Sequence, residues 1–107
     1  LHGGHTGEAI LNTFSKVCPK MAELTIESLF GDILQRTDML DIKTRELTII
    51  ASLVTLGSCD DQVRAHVEAA KNVGASNDEI TETILQTAYF AGFARAANAM
   101  ICIKDIL

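Results

Sequence analysis

The sequence predicts an all-α, single-domain helical bundle of about five to six helices. Apolar residues recur at spacings of three and four through most of the chain, and no alternating apolar–polar run marks a strand. Residues that start and stop helices fall between the apolar runs. The 107 residues are 48% apolar but only 5% aromatic, which requires one compact, aliphatic, alanine-rich core.

The first helix is expected over roughly Glu8 to Lys16, with the polar, Gly-rich stretch from Leu1 to Gly7 set aside as flexible. Pro19 suits the first turn of a second helix, because its missing N–H costs nothing there. That helix carries Met21, Leu24, Leu29, Phe30, Ile33 and Leu34 and is expected to run to about Gln35, with residues 36–40 as a connector. Asp41 is the cap expected for a third helix reaching Leu56, and Gly57 is its stop. From Leu47 to Leu56 this helix is apolar nearly all round, which predicts burial on most sides. Ser58, three residues before Asp61, reads as the cap of a fourth helix that Gly74 ends. Ser76 and Glu79 form a capping box for a fifth, which runs to Phe90 and breaks at Gly92. The last helix is expected from about Ala94 to Ile106. Its four alanines suit close packing of helices or subunits. No linker or repeat divides the chain, so residues 1–107 read as one domain.

Charge and cysteine usage narrow the partners. The net charge is −5, there is no basic stripe, and aromatics are too few to stack bases, so nucleic acid is not an expected partner. The apolar runs fall short of a membrane span, and no leader pattern opens the chain. Cys18, Cys59 and Cys102 are odd in number and make no CxxC. They read as reduced thiols in a cytoplasm rather than a disulfide framework or a zinc site. No cofactor or metal is expected. The apolar excess in so short a chain points to a buried surface between subunits.

The candidate chemistry lies in Cys59-Asp-Asp-Gln-Val-Arg-Ala-His66. A helix start favours negative charge on the Cys59 sulfur, while Asp60 and Asp61 oppose it. Cys59, Gln62 and His66 share one helix face, but Cys59 and His66 lie about 10 Å apart along the axis at 1.5 Å per residue. They are therefore not a self-contained pair, and a group from another helix is needed. Glu46 is the candidate. It sits in an aliphatic stripe with Ile42, Ile49, Ile50 and Leu53, where a carboxylate is costly unless paired or protonated. Each residue also has a plain reading: Cys59 as a small residue at a helix start, His66 as a surface or core histidine, and Glu46 as a carboxylate that reaches water or a lysine.

In order, Phe30-Gly-Asp32, Leu40-Asp-Ile-Lys-Thr-Arg-Glu-Leu47, Gln62-Val-Arg-Ala-His66, Ala69-Ala-Lys-Asn-Val-Gly74, Asp78-Glu-Ile80, Glu82 and Tyr89-Phe-Ala-Gly92 resemble the carboxymuconolactone decarboxylase family, which includes the alkylhydroperoxidase D-like proteins. The resemblance covers roughly Phe30 to Leu107 and is fainter back to Gly7. It implies a helical subunit that forms homotrimers or homohexamers, with a site lined by the third and fourth helices near a subunit boundary. One branch of that family decarboxylates 4-carboxymuconolactone. The other reduces peroxides with a Cys-x-x-Cys pair, a histidine four residues later and a glutamate one helix earlier. Carried over, these positions are Glu46, Cys59 and His66, with Gln62 where the second cysteine would stand. Gln62 can neither attack a peroxide nor close a disulfide, so Cys-x-x-Gln-x-x-x-His fits the decarboxylase-like branch. Retention of Glu46 is a feature of the redox branch, and Ala94 stands where members often carry proline.

The reading that follows is an acid–base decarboxylase of a small carboxylated lactone or related organic acid. Its expected catalytic residues are His66, Glu46 and Cys59, with Gln62, Arg45 and Tyr89 as substrate-binding residues. One alternative is a thiol-dependent peroxidase using Cys59, resolved by an external thiol, Cys18 or Cys102. A further alternative is a helical oligomer without catalysis.

Overall fold

The computed structural model describes residues 4–107 and contains six α-helices and no strand among them. These are α1 (His5–Val17), α2 (Pro19–Leu24), α3 (Ile42–Leu56), α4 (Asp60–Asn72), α5 (Asn77–Ala91) and α6 (Phe93–Ile103). Helix α3 packs on α4 and α5, α6 closes against α5 and α4, and α1 lies along α4. The core between them is aliphatic, built from Ile50, Val54, Val67, Ile80, Ile84 and Ile103 and filled by small alanines. Among the described residues, no helix is long and apolar enough to cross a membrane.

The caps form where local sequence asks for them. The Asp41 carboxylate accepts from the Thr44 N–H at 2.7 Å. Ser76 Oγ accepts from the Glu79 N–H at 3.0 Å while Glu79 Oε1 accepts from the Ser76 N–H at 2.9 Å, so the capping box is complete.

Several expectations change. The first helix starts at His5, so residues expected to be flexible are helical from there, while Leu1 to Gly3 lie outside the described residues. Glu68 on α4 holds that start: Oε1 accepts from Thr6 Oγ1 at 2.5 Å and Oε2 from the Thr6 N–H at 3.1 Å. This satisfies an N–H that the first turn of a helix leaves without an internal partner.

The second helix is not continuous to Gln35. After Leu24 it widens into a π-helical turn, Thr25–Phe30, and then tightens into a 3₁₀ turn, Ile33–Gln35. Thr25 Oγ1 donates back to the Met21 carbonyl at 2.8 Å, where it competes with the backbone ladder. Gly31 follows the wide turn because a Cβ there would lie 2.6 Å from the Glu27 carbonyl oxygen.

The fourth helix is entered through Cys59, not Ser58. Cys59 is the N-cap residue and makes no side-chain cap, while Ser58 takes a left-handed φ of 57° in the reversal after Gly57. Gly57 itself has φ 75°, and a Cβ on it would run into the Arg95 guanidinium. The last helix runs from Phe93 to Ile103, starting one residue early and ending short of Ile106. Helix α3 is not buried on most sides within one chain: only Glu46, Ile50 and Val54 are, and Leu56 is exposed. Tyr89, Phe90 and Phe93 are also exposed, so the aromatics at the α5–α6 corner stay out of the core.

Candidate active site

Glu46 sits one turn into α3 with no solvent exposure. Its Oε2 lies 2.8 Å from Nδ1 of His66, which faces it from the second turn of α4. The other oxygen, Oε1, is buried and has no hydrogen-bond partner among the described residues. A buried carboxylate with one oxygen unsatisfied weakens a fold relative to a well-packed aliphatic residue. A carboxylate on Nδ1 orients the imidazole and leaves Nε2 as the nitrogen available to a ligand. The His66 side chain is 18% exposed, so the pair runs from the aliphatic core to an opening.

That opening is a pocket of about 200 Å³ between α1, the π-helical turn and α4. His66 and Gln62 supply its polar end, Ile10, Leu11 and Phe14 come from α1, and Leu29 and Phe30 come from the π-helical turn. Ala65 and Ala69 on α4 are small enough to leave the space open.

The structure brings together Glu46, His66 and Gln62. It places Cys59 elsewhere, in a second cavity of about 360 Å³ on the α6 side of the start of α4. There Cys59 Sγ donates to the Gly57 carbonyl at 3.3 Å, and Cys102, Arg95 and Asn98 line the same space. Burial, with Asp60 nearby, pushes the Cys102 thiol up from its ordinary value. Cys59 and His66 thus open on different cavities, consistent with their two-turn separation.

Arg45, expected to grip a substrate carboxylate, instead buttresses the connector. Its Nε donates to the Leu40 carbonyl and its Nη2 to the Arg36 carbonyl, both at 2.9 Å. Tyr89, expected to bind substrate, is on the outer face of α5, edge-on to Phe93 with ring centroids 5.3 Å apart. Neither lines the His66 pocket. Arg64 is also committed: it grips Asp105 with two nitrogens, at 2.7 and 3.0 Å, and donates to the Cys102 carbonyl. Among the described residues, no group of three His, Cys, Asp or Glu side chains is arranged to hold a metal ion.

Sequence reasoning missed the α1 wall and the Glu68 clasp that seats it. Ile10, Leu11 and Phe14 do share one helical stripe, but nothing in their spacing says that the stripe faces His66.

With this geometry in place, the likeness to known proteins can be judged. Residues 19–105 match the profile described as the Carboxymuconolactone decarboxylase family. The chain belongs to that family. A 4-carboxymuconolactone decarboxylase of Acinetobacter baylyi is 36% identical over 63 residues, covering 59% of this chain and 46% of that protein. The "Uncharacterized 15.0 kDa protein in nqo9-nqo10 intergenic region" of Paracoccus denitrificans is 32% identical over 91 residues, covering 84% of this chain and 67% of that protein. The chain therefore spans about half the length of the decarboxylase it matches and two thirds of the other relative. The family match begins at Pro19, so α1, which walls the pocket, lies outside it.

Proposed function

We propose that this member of the family is an acid–base decarboxylase of a small carboxylated lactone or related organic acid, with His66 and Glu46 as its proton-transfer dyad. The observation that carries the reading is the 2.8 Å contact between a wholly buried carboxylate and a histidine that opens on a pocket.

The substrate carboxylate sits at the polar end, near His66 and Gln62. The C–C bond to it breaks, CO₂ leaves, and the electron pair passes into the conjugated carbonyl as a dienolate. The Gln62 amide hydrogen-bonds the oxygen that gains charge. Nε2–H of the imidazolium then protonates carbon, and a proton from water restores the ring. Glu46 holds the ring in orientation through Nδ1.

The test is CO₂ release from a panel of carboxylated γ-lactones in D₂O. The expected product carries one solvent deuteron at carbon, and His66→Asn lowers turnover by about 10²- to 10⁴-fold with the helical spectrum unchanged. Full turnover in His66→Asn sinks the reading.

A second reading has the other cavity behind it, where Cys59 and Cys102 share one lining. In that chemistry the Cys59 thiolate attacks a hydroperoxide oxygen. The O–O bond breaks, the alcohol leaves with a proton, and a sulfenic acid remains. The Cys102 thiol attacks that sulfur, water leaves, and a disulfide forms for an external dithiol to reduce. Intact mass after stoichiometric peroxide, with a sulfenic-acid trap, tests it. Fast, selective labelling of Cys59 supports this reading, and an inert Cys59 removes it.

A further inference from the structure

We infer that Phe14 is the specificity-determining residue of the His66 pocket: its ring sets the length of substrate body that fits beside α1. This rests on the His66 site described above and adds the residue that measures the substrate there.

Helix α1 is seated at its start and bulky toward its end. Gly4 and Gly7 bring it close to α4: a Cβ on Gly4 would lie 3.2 Å from Cβ of Glu68, and one on Gly7 would lie 3.9 Å from Cβ of Ala65. The Thr6–Glu68 clasp lies between these two contacts. Beyond this seat, the side chains that α1 gives to the pocket grow from glycine to Ile10, Leu11 and Phe14. Phe14 lies two turns past Gly7, about 10 Å along the axis at 1.5 Å per residue. The seat narrows the Gly4 end, so a ligand anchored at His66, next to Ala65, extends along α1 toward the Phe14 ring.

Phe14 is suited to measure that ligand. No residue of α1 is fully buried, so the ring is not an anchor of the aliphatic core. It shares one helical stripe with Ile10 and Leu11, and that stripe lines the pocket. Of the chain's four phenylalanines, Phe90 and Phe93 are exposed at the α5–α6 corner. Phe30 belongs to the π-helical turn, where its carbonyl accepts from Gln35 Nε2 at 3.0 Å and Gly31 follows in close contact with Glu27. Phe14 is thus the aromatic wall that can change without disturbing that turn. The family match begins at Pro19, so this wall lies outside the matched frame that carries Glu46 and His66. One dyad can therefore serve bodies of different length through changes in α1 alone.

The experiment measures affinity for γ-lactones whose alkyl tail grows from methyl to octyl, each with and without a carboxylate on the ring. The proteins are the parent, Phe14→Ala, Phe14→Leu and Phe14→Trp. NMR of the His66 ring shows that each ligand occupies this pocket. In the parent, affinity is expected to rise about fourfold per methylene up to a limiting length and then to fall about 10-fold. Phe14→Ala should move that limit outward by roughly two to four carbons, Phe14→Leu by about one or two, and Phe14→Trp should move it inward. A side chain that merely seated α1 would weaken every tail by the same factor and leave the limit in place. An unmoved limit in the Leu and Trp variants overturns the inference, even where the Ala variant loses its α1 packing. Failure of every lactone, in both forms, to shift the parent's His66 ring overturns it as well. His66→Asn keeps this inference apart from the dyad. A limit that moves with Phe14 while His66→Asn turns over carboxylated lactones normally removes the dyad and keeps the role of Phe14. A fixed limit with His66→Asn inactive removes the role of Phe14 and keeps the dyad.

Discussion

Two cavities flank the start of α4, and they differ in kind. On the α1 side, His66 opens on aliphatic and aromatic walls with a buried carboxylate behind it. On the α6 side, Cys59 and Cys102 open on a more polar space with Arg95 and Asn98. The family's redox chemistry would join the first feature of one cavity to the first feature of the other. Here a helix stands between them, and Gln62 occupies the position from which a second thiol could have linked the two. The difference teaches that sequence spacing alone does not put a residue on a helix face: Cys59 is the non-helical cap before Asp60, and it opens toward α6 while His66 opens toward α1.

The sharpest way to break this comparison is at Glu46. Glu46→Ala leaves His66 without its partner and empties a fully buried site, and is expected to cost about 3–5 kcal/mol of stability. Glu46→Leu fills the space, removes the orphaned oxygen, and is expected to leave the thermal midpoint near or above that of the parent while turnover falls by 10²-fold or more. Thermal unfolding and CO₂ release on the same samples decide it. A Leu variant that is both stable and active would make Glu46 a structural residue, and the asymmetry between the cavities would lose its chemical meaning.

The next test acts on the α1 wall. Glu68→Ala removes both bonds to Thr6, weakens the seating of α1 by roughly 1–2 kcal/mol, and is expected to speed amide exchange in α1 about 5- to 30-fold. Substrate KM should rise while kcat changes little, because α1 lines the pocket but carries no proton. Unchanged KM together with unchanged α1 exchange would show that the helix is seated by its apolar stripe alone.

Cys59→Ser is the complementary test on the other cavity. Under the acid–base reading kcat/KM should stay within about twofold, since the thiol faces away from the dyad. A loss of 10²-fold would join the two cavities functionally and favour the thiol reading.

How far the sequence could foresee these two regions depends on how local each contact is. The Asp41 cap and the Ser76–Glu79 box span three residues each, so their patterns carry the whole interaction. The stripe around Glu46 pointed to burial, and the two-turn rise separated Cys59 from His66 before any fold was known. The break after Leu24 was hidden because the apolar spacing continues through the wide turn, and a π-helical turn leaves no distinct period over six residues. Arg45 was misjudged because the Arg36 and Leu40 carbonyls come within its reach only once the connector folds back. The Glu68 clasp joins residues 62 apart in sequence, and no local pattern encodes such a pairing.

The smallest expected effect concerns why Arg64 serves neither cavity. Asp105 holds it, and the hydrogen bond from Arg64 in turn keeps the Asp105 carboxyl below its ordinary value of 3.8. The folded state therefore binds that proton less readily than the unfolded chain, so the pair's contribution is fully present above the unfolded value and is lost as pH falls through the lowered one. In urea titrations from neutral to strongly acidic pH, the parent and Asp105→Asn should differ by a constant small amount at neutral pH. Below about 3.8 their curves should converge. The Asp105 side chain is 61% exposed, so added salt should shrink the neutral-pH gap. Curves that stay parallel into strong acid would mean that Asp105 does not depend on its charge to hold Arg64. Convergence would show that the charge on Asp105 is what holds Arg64 beside the end of α6.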